Sequence, residues 1–280
     1  MSIIKKDDNG RFSFEIISGT GEITHPSELI FPILKVTIAG EVTLVGAGFF
    51  IGPNGLFVTA RHVLVDYFVE NPERVEEEWV QTDAGFIVQN RGDGSPVRRL
   101  IHNASFLRNR SDVSVARLKL AFDLVTKEDI LNGRLTVSDR IPEVGEQIFS
   151  CAHPKTKISK NQETSVVQIS LDTSYYSGKV TEVFPSGRDR HNLPNQCFRT
   201  DMHIHPGASG GPVFDEKGHV LGVNSTSLFG ETNISYVSSI GDIFNQSIFE
   251  VETTPGVVVE NISVRHLADI GFVLLANEIG

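Results

Sequence analysis

Short runs of β-branched and aromatic residues, broken at close intervals by Gly, Asn, Pro and Asp, constrain this chain's fold more than any other feature. They recur at Ile33 to Ile38, Gly46 to Ile51, Leu56 to Thr59, Val113 to Leu118, Ile148 to Ala152, Val166 to Leu171, Lys179 to Phe184, Val220 to Asn224 and Ile234 to Val237. Such side chains suit a pleated, half-buried surface, so the pattern reads as the strands of an all-β sandwich or pair of barrels. Pro53-Asn54-Gly55 lies between two of these runs and reads as a hairpin turn, since Asn and Gly tolerate positive φ. Asp215-Glu216-Lys217-Gly218 reads the same way, between Pro212-Val213-Phe214 and the run from His219 to Gly222. Helical signals are few. His62 to Phe68 reads as a short helix after a strand, and Ile240 to Phe249 carries apolar residues at helical spacing, at Ile240, Ile243, Phe244 and Ile248. Asn71 to Glu78, with three successive glutamates, reads as a solvated loop, and Pro142 to Gly145 as a linker between halves.

The 280 residues carry a net charge of −10, which excludes a phosphate-backbone partner; no nucleic acid is expected. No run is long and apolar enough to span a bilayer, so no membrane association is expected either. Cys151 and Cys197 are the two cysteines, too few for a disulfide framework. Lys5 and Lys6 lead into Asp7, Asp8, Asn9 and Gly10 rather than an apolar stretch. With so few cysteines and no secretory leader in view, the chain reads as cytoplasmic.

Chemistry centres on Gly207-Ala208-Ser209-Gly210-Gly211-Pro212. A serine flanked by glycines can stand exposed on a tight turn, with main-chain N–H groups converging on one small space where an oxyanion can sit. An incidental serine in a glycine-rich turn is the plainer alternative. A serine hydroxyl is a poor nucleophile at neutral pH and needs a base, which in turn needs an orienting carboxylate. His62 follows the apolar strand Phe57 to Ala60, and Asp112 precedes the strand Val113 to Leu118. Each has an ordinary reading as well, a packed histidine and a turn residue. Asp123 and Asp139 are rival acids, but neither precedes an alternating apolar strand.

Three separated blocks together resemble the trypsin/chymotrypsin-like serine peptidases, in particular the bacterial branch with the heat-shock Deg proteases and the glutamyl endopeptidases. They are Gly46 to Ile51 with Thr59-Ala60-Arg61-His62-Val63, then Ser111 to Ala116, then Thr200-Asp201 through Gly207 to Val213. The resemblance spans residues 30 to 250 and implies two antiparallel six-stranded β-barrels with a short C-terminal helix, the site lying between the barrels. On that basis residues 1–28 are an N-terminal extension, 29–138 a barrel carrying His62 and Asp112, 139–249 a barrel carrying Ser209, and 250–280 a tail. The implied roles are Ser209 as nucleophile, His62 as general base and acid, Asp112 as its orienting partner, and the N–H groups of Gly207 and Ser209 as the oxyanion hole. The implied activity is a serine endopeptidase acting on polypeptides, without metal or other cofactor.

The resemblance also points to His203, Asn224 and Ser225 as substrate-binding positions. His203 falls where the family has the floor of its specificity pocket. Asn224 replaces the histidine of glutamyl-specific relatives, and Ser225 falls where a hydroxyl contacts the buried acid. A small or medium apolar residue before the cleaved bond is the preference this implies. Two departures stand out. Ala208 occupies the place of the acid that makes the zymogen ion pair, and Arg61 that of a small residue before the base. Asp201, His203 and His205 alternate and would share a strand face, but no fourth ligand accompanies them and a zinc site is not expected. His25, His102, His153, His191, His219 and His266 are expected at the surface or in turns. Two other functions remain in view: a dormant effector awaiting a protein activator or self-assembly, and a peptide-binding module without turnover.

Overall fold

The computed structural model describes residues 3–6, 12–17, 23–69, 79–81, 84–91, 95–106, 111–119, 132–190, 192–227, 234–254 and 256–276. It opens on a three-stranded sheet of β1 (Ile3–Lys6), β2 (Phe12–Ile17) and β3 (Ile23–Thr24). A one-turn helix α1 (Pro26–Leu29) follows, started by a reciprocal cap in which His25 accepts from Ser27 N and Glu28 accepts from His25 N.

The apolar runs then do what their alternation suggests. Strands β4 (Ile30–Val36), β5 (Val42–Phe50) and β6 (Leu56–Ala60) form an antiparallel meander, and the Pro53-Asn54-Gly55 turn joins the last two with Gly55 at φ 76°. Helix α2 (Arg61–Phe68) leaves the end of β6 directly. Strands β7 (Trp79–Gln81), β8 (Gly85–Asn90), β9 (Pro96–Phe106) and β10 (Val113–Leu118) follow. The order β10-β6-β5-β4-β8-β9 closes through a β10–β9 pairing into a six-stranded antiparallel barrel, with β7 an extra strand on β9. Closure pairs every strand of the ring on both sides and removes free edges.

After β11 (Thr136–Val137) come β12 (Gln147–Ala152), β13 (Lys157–Lys160), β14 (Val167–Ser170), β15 (Ser174–Phe184), β16 (Cys197–Thr200), β17 (Pro212–Phe214), β18 (Val220–Ser227) and β19 (Ser235–Ser239). Here the order β17-β12-β15-β16-β19-β18 closes through β17–β18 into a second six-stranded antiparallel barrel. A 3₁₀ helix (Ile240–Asn245), the hairpin β20 (Ser247–Thr254) and β21 (Val257–Ser263), helix α3 (Val264–Asp269) and β22 (Leu274–Leu275) complete the described chain. The tail docks on the barrels. Val264 and Leu267 of α3 are fully buried, and β22 pairs with β11, which itself pairs with β18.

One apolar core runs from the first barrel into the tail. Phe31, Phe50 and Phe57 stack in it, with ring centroids 4.5 Å apart for Phe31–Phe50 and 5.5 Å for Phe31–Phe57, the latter edge to face. A second cluster, including Ile148, Val213, Leu221 and Ala208, fills the second barrel.

Several expectations shift. Val167–Ser170 pairs only with β13, as a hairpin outside the barrel ring. The helix expected over Ile240 to Phe249 stops at Asn245, and Ile248 belongs to β20, where Ile248, Val251 and two threonines favour a strand. The 28/29 boundary falls inside α1 and the 249/250 boundary inside β20. His153, expected at the surface or in a turn, opens a turn closed by Thr156 N but is fully buried; its Nε2 donates to the Ile30 carbonyl at 2.9 Å. Cys151 and Cys197 are both free and buried. Asn71 to Glu78, Asp123 and His191 lie outside the described residues. Among the described residues no helix is long and apolar enough to cross a membrane.

Candidate active site

Strand register brings the acid to the base. β10 pairs antiparallel with β6 so that Val113 faces Ala60, which sets Asp112 opposite the first residues of α2. Arg61 N donates to the Asp112 carbonyl at 3.1 Å, and His62 N donates to Asp112 Oδ1 at 3.0 Å. The imidazole then lies along the carboxylate, with Nδ1 3.0 Å from Oδ1 and 2.9 Å from Oδ2. A carboxylate only accepts, so Nδ1 carries the proton and the lone pair of Nε2 is free for a substrate-side hydroxyl. Ser225 Oγ, from β18, donates to Asp112 Oδ2. Asp112 is 9% exposed and bound on both oxygens, so its carboxylate has no freedom to turn. Burial alone would lower the His62 pKa, but the charge and hydrogen bond of Asp112 win and hold it above its ordinary value.

The serine turn is built from the second barrel and pinned to the first. Ala208 N donates to the His205 carbonyl at 3.1 Å and Gly211 N to the Ala208 carbonyl at 3.0 Å. Gly210 N donates to the Asn224 carbonyl at 2.8 Å, and Ala47 N of β5 donates to the Ser209 carbonyl at 2.7 Å. Gly210 has φ 88°, and a Cβ on it would meet the Ala47 carbonyl at 2.1 Å and Thr59 Oγ1 at 2.3 Å. Only glycine fits so close to the first barrel. Gly207 also has φ 88°. Among the described backbone–backbone hydrogen bonds outside helices and strands, neither Gly207 N nor Ser209 N takes part. Both donors therefore remain available for an anionic oxygen. Ala208 is fully buried in the apolar core of the second barrel, so packing holds the turn where an ion pair might.

Ser209 Oγ donates to the Ser225 carbonyl at 3.4 Å, and among the described residues it makes no hydrogen bond with His62. Ser225 thus touches both Ser209 and Asp112. Asn224, expected at the substrate, is 2% exposed, with Nδ2 donating to Ser150 Oγ at 2.7 Å and Oδ1 buried without a hydrogen-bond partner among the described residues. His203 is exposed, its ring 5.1 Å from that of His205, and His205 Nδ1 lies 3.2 Å from the Tyr176 hydroxyl. Asp201 Oδ1 accepts from Lys179 N at 2.6 Å. Of the rival acids, Asp139 pairs with Arg265 at 3.6 Å, away from His62. A cleft of about 410 Å³ opens beside His62, between α2 and the 192–194 segment. Asn192 and Pro194 reach it through the connection between β15 and β16, which no sequence pattern marks.

The sequence model for the trypsin-like peptidase domain matches residues 46–223, the stretch that holds His62, Asp112 and Ser209. The chain belongs to the trypsin-like peptidase family. A probable periplasmic serine endoprotease, DegP-like, of Ectopseudomonas mendocina is 28% identical to this trypsin-like peptidase over 189 residues, 66% of this chain and 30% of that protein. A protein of the same description from Pseudomonas fulva is 27% identical over 189 residues, 66% of this chain and 29% of that one. The chain thus spans about 30% of the length of these curated relatives. Among solved structures, Deg5 aligns over 75% of this chain and 83% of its own, with a TM-score of 0.50 at 18% identity. The active form of the Rv3671c protease from M. tuberculosis aligns over 90% and 85%, with a TM-score of 0.50 at 14% identity. Both share the fold. The comparisons also correct the cytoplasmic expectation, because the curated relatives of this trypsin-like peptidase are named periplasmic. That expectation rested on scarce cysteines and the first few residues. Neither discriminates a compartment when the barrels are closed by strand pairing and need no disulfide.

Proposed function

We propose that the protein is a serine endopeptidase that cleaves polypeptides through an acyl-enzyme on Ser209. The observation that carries this reading is the His62–Asp112 pair, 2.9 Å apart with Nδ1 committed to the acid, beside a serine turn whose two N–H groups are unspent. In the reaction His62 Nε2 takes the Ser209 proton as Oγ attacks the substrate carbonyl, and the imidazolium that forms is stabilised by Asp112. The carbonyl oxygen becomes an anion held by Gly207 N–H and Ser209 N–H. His62 then returns the proton to the leaving amine. Water, activated by the same imidazole, hydrolyses the ester and restores Ser209.

In the resting site Ser209 Oγ is turned to the Ser225 carbonyl, and catalytic hydrogen bonds of this kind tighten when substrate is bound. Ser225 acts through Asp112, as a positioning residue. His203 is the remaining substrate-binding candidate, since Asn224 is enclosed. Cleavage of a peptide library by the wild type and by Ser209→Ala tests this. Wild-type cleavage that the variant loses by at least about 10³-fold is expected; equal cleavage by both, or none by the wild type, would sink it.

A further inference from the structure

The cleft beside His62 holds a charge that the described residues leave without an ion-pair partner. Arg61 is half-buried at the start of α2 and lines this cleft with His62 and Asp66 of the same helix, Asn192 and Pro194 opposite, and Thr226 of β18. Its guanidinium carbon lies 5.2 Å from the centroid of the Phe106 ring. Its Nε is buried with no hydrogen-bond partner, and among the described residues the guanidinium makes no ion pair.

An aromatic face fixes where a guanidinium stands but offers its N–H donors no acceptor. A ligand that supplies acceptor oxygens to the terminal N–H groups of the guanidinium adds charge-assisted bonds that the protein itself does not make. A carboxylate matches both the fork of donors and the charge. The acids already lining the cleft do not fill this role. Asp112 is occupied by His62 and Ser225, and Asp66 is exposed and screened by solvent. Because His62 and Asp112 form part of its wall, whatever fills the cleft lies beside the histidine–acid pair.

We propose that Arg61 is a specificity-determining residue that binds an acidic side chain of the peptide substrate in the cleft between α2 and the 192–194 segment, beside His62. This rests on the endopeptidase reading and adds a substrate class to it. A second consequence follows from charge. The groups that act on His62 are Asp112 from the segment before β10 and Asp66 and Arg61 from α2; the first two raise its pKa and Arg61 lowers it. A carboxylate seated on Arg61 cancels that cation's field, so His62 becomes more basic in the complex with an acidic peptide.

The test uses peptide pairs that differ only by Glu against Gln at one position, scanned across the cleaved bond. With wild-type protein, kcat/KM favours Glu at one position by about tenfold, mostly through KM. In Arg61→Ala the ratio falls to about one, and in Arg61→Lys part of it remains. The acid limb of the pH profile lies higher for the Glu peptide than for its Gln partner, and this difference vanishes in Arg61→Ala. The same peptides, dye-labelled, are titrated against Ser209→Ala protein, where binding needs no turnover. Equal binding and cleavage of Glu and Gln peptides at every position overturns the proposal, as does a Glu preference that survives Arg61→Ala. Selective binding without wild-type cleavage removes the endopeptidase reading and leaves Arg61 an acid-binding residue.

Discussion

His62 is where opposing influences meet. Burial disfavours the imidazolium, while Asp112 favours it through charge and a hydrogen bond at 2.9 Å, and the balance falls to Asp112. In the proposed mechanism the neutral imidazole is the working base, so a raised pKa is expected to move the acid limb of kcat/KM above the ordinary histidine value of 6.5. Asp112→Asn is expected to bring that limb down and to lower kcat by about 10⁴-fold, read from pH–rate profiles on one peptide. An acid limb unchanged in the variant would refute the assignment of Asp112. The same shift bears on stability with a definite sign. A raised folded pKa contributes stability that is full below pH 6.5 and is lost as pH rises through the folded value. At this scale the sequence was informative where chemistry fixes residue type: it singled out His62 and Asp112, which the fold pairs, and Ser209, whose hydroxyl shares Ser225 with that acid. It was less so where a neighbour decides the role. Asn224 and Ser225 are adjacent in the chain, and the pleat sends one into the interior and the other onto Asp112. Without strand register, those two positions could not be told apart.

The serine turn depends on elements from both barrels. Ser209 O is bound by Ala47 N of β5, Gly210 N is bound by the Asn224 carbonyl of β18, and Gly210 lies against Ala47 and Thr59. Gly210→Ala places a Cβ 2.1 Å from a backbone oxygen and forces an alanine to φ 88°. Denaturant unfolding is therefore expected to show a loss of more than about 3 kcal/mol, or no folded protein. A well-folded Gly210→Ala protein within about 1 kcal/mol of the wild type would contradict the close approach. The hairpins beside this turn were legible because Asn-Gly and Asp-to-Gly turns announce themselves. Strands β8, β9 and β16 were not. β9 carries Arg98, Arg99, His102 and Asn103, polar residues that hide a strand from any hydrophobic count. Arg99 is nonetheless only 3% exposed, its guanidinium donating to Asn132 Oδ1 and standing near the Phe50 ring. Its partners are distant in sequence, and no local pattern reveals them.

Across the whole molecule, the two barrels are joined by more than apolar packing. His153, at the end of β12, donates from Nε2 to the Ile30 carbonyl at the start of β4, and its Nδ1 lies 3.3 Å from Thr173 Oγ1. Burial lowers its pKa to about 4, the Ile30 bond resisting only in part. A histidine depressed on folding stays neutral while the unfolded chain takes up a proton. Its contribution is present above pH 6.5 and is lost as pH falls towards about 4. Denaturant midpoints between those values should drop with acidification, and the slope should be shallower in His153→Gln. An unchanged slope in that variant would place the acid sensitivity elsewhere. The barrel pair was legible from three blocks and the spacing of strands. The docking of α3 and β22, the burial of His153 and the cleft at Arg61 were not, since each joins segments far apart along the chain. The central claim, that Ser209 is a nucleophile activated in the folded protein, is tested most directly by a fluorophosphonate followed by peptide mapping. The expected result is a single adduct on the Ser209 peptide, absent from Ser209→Ala and much slowed in His62→Ala. An adduct elsewhere, or none on the native protein, would contradict it.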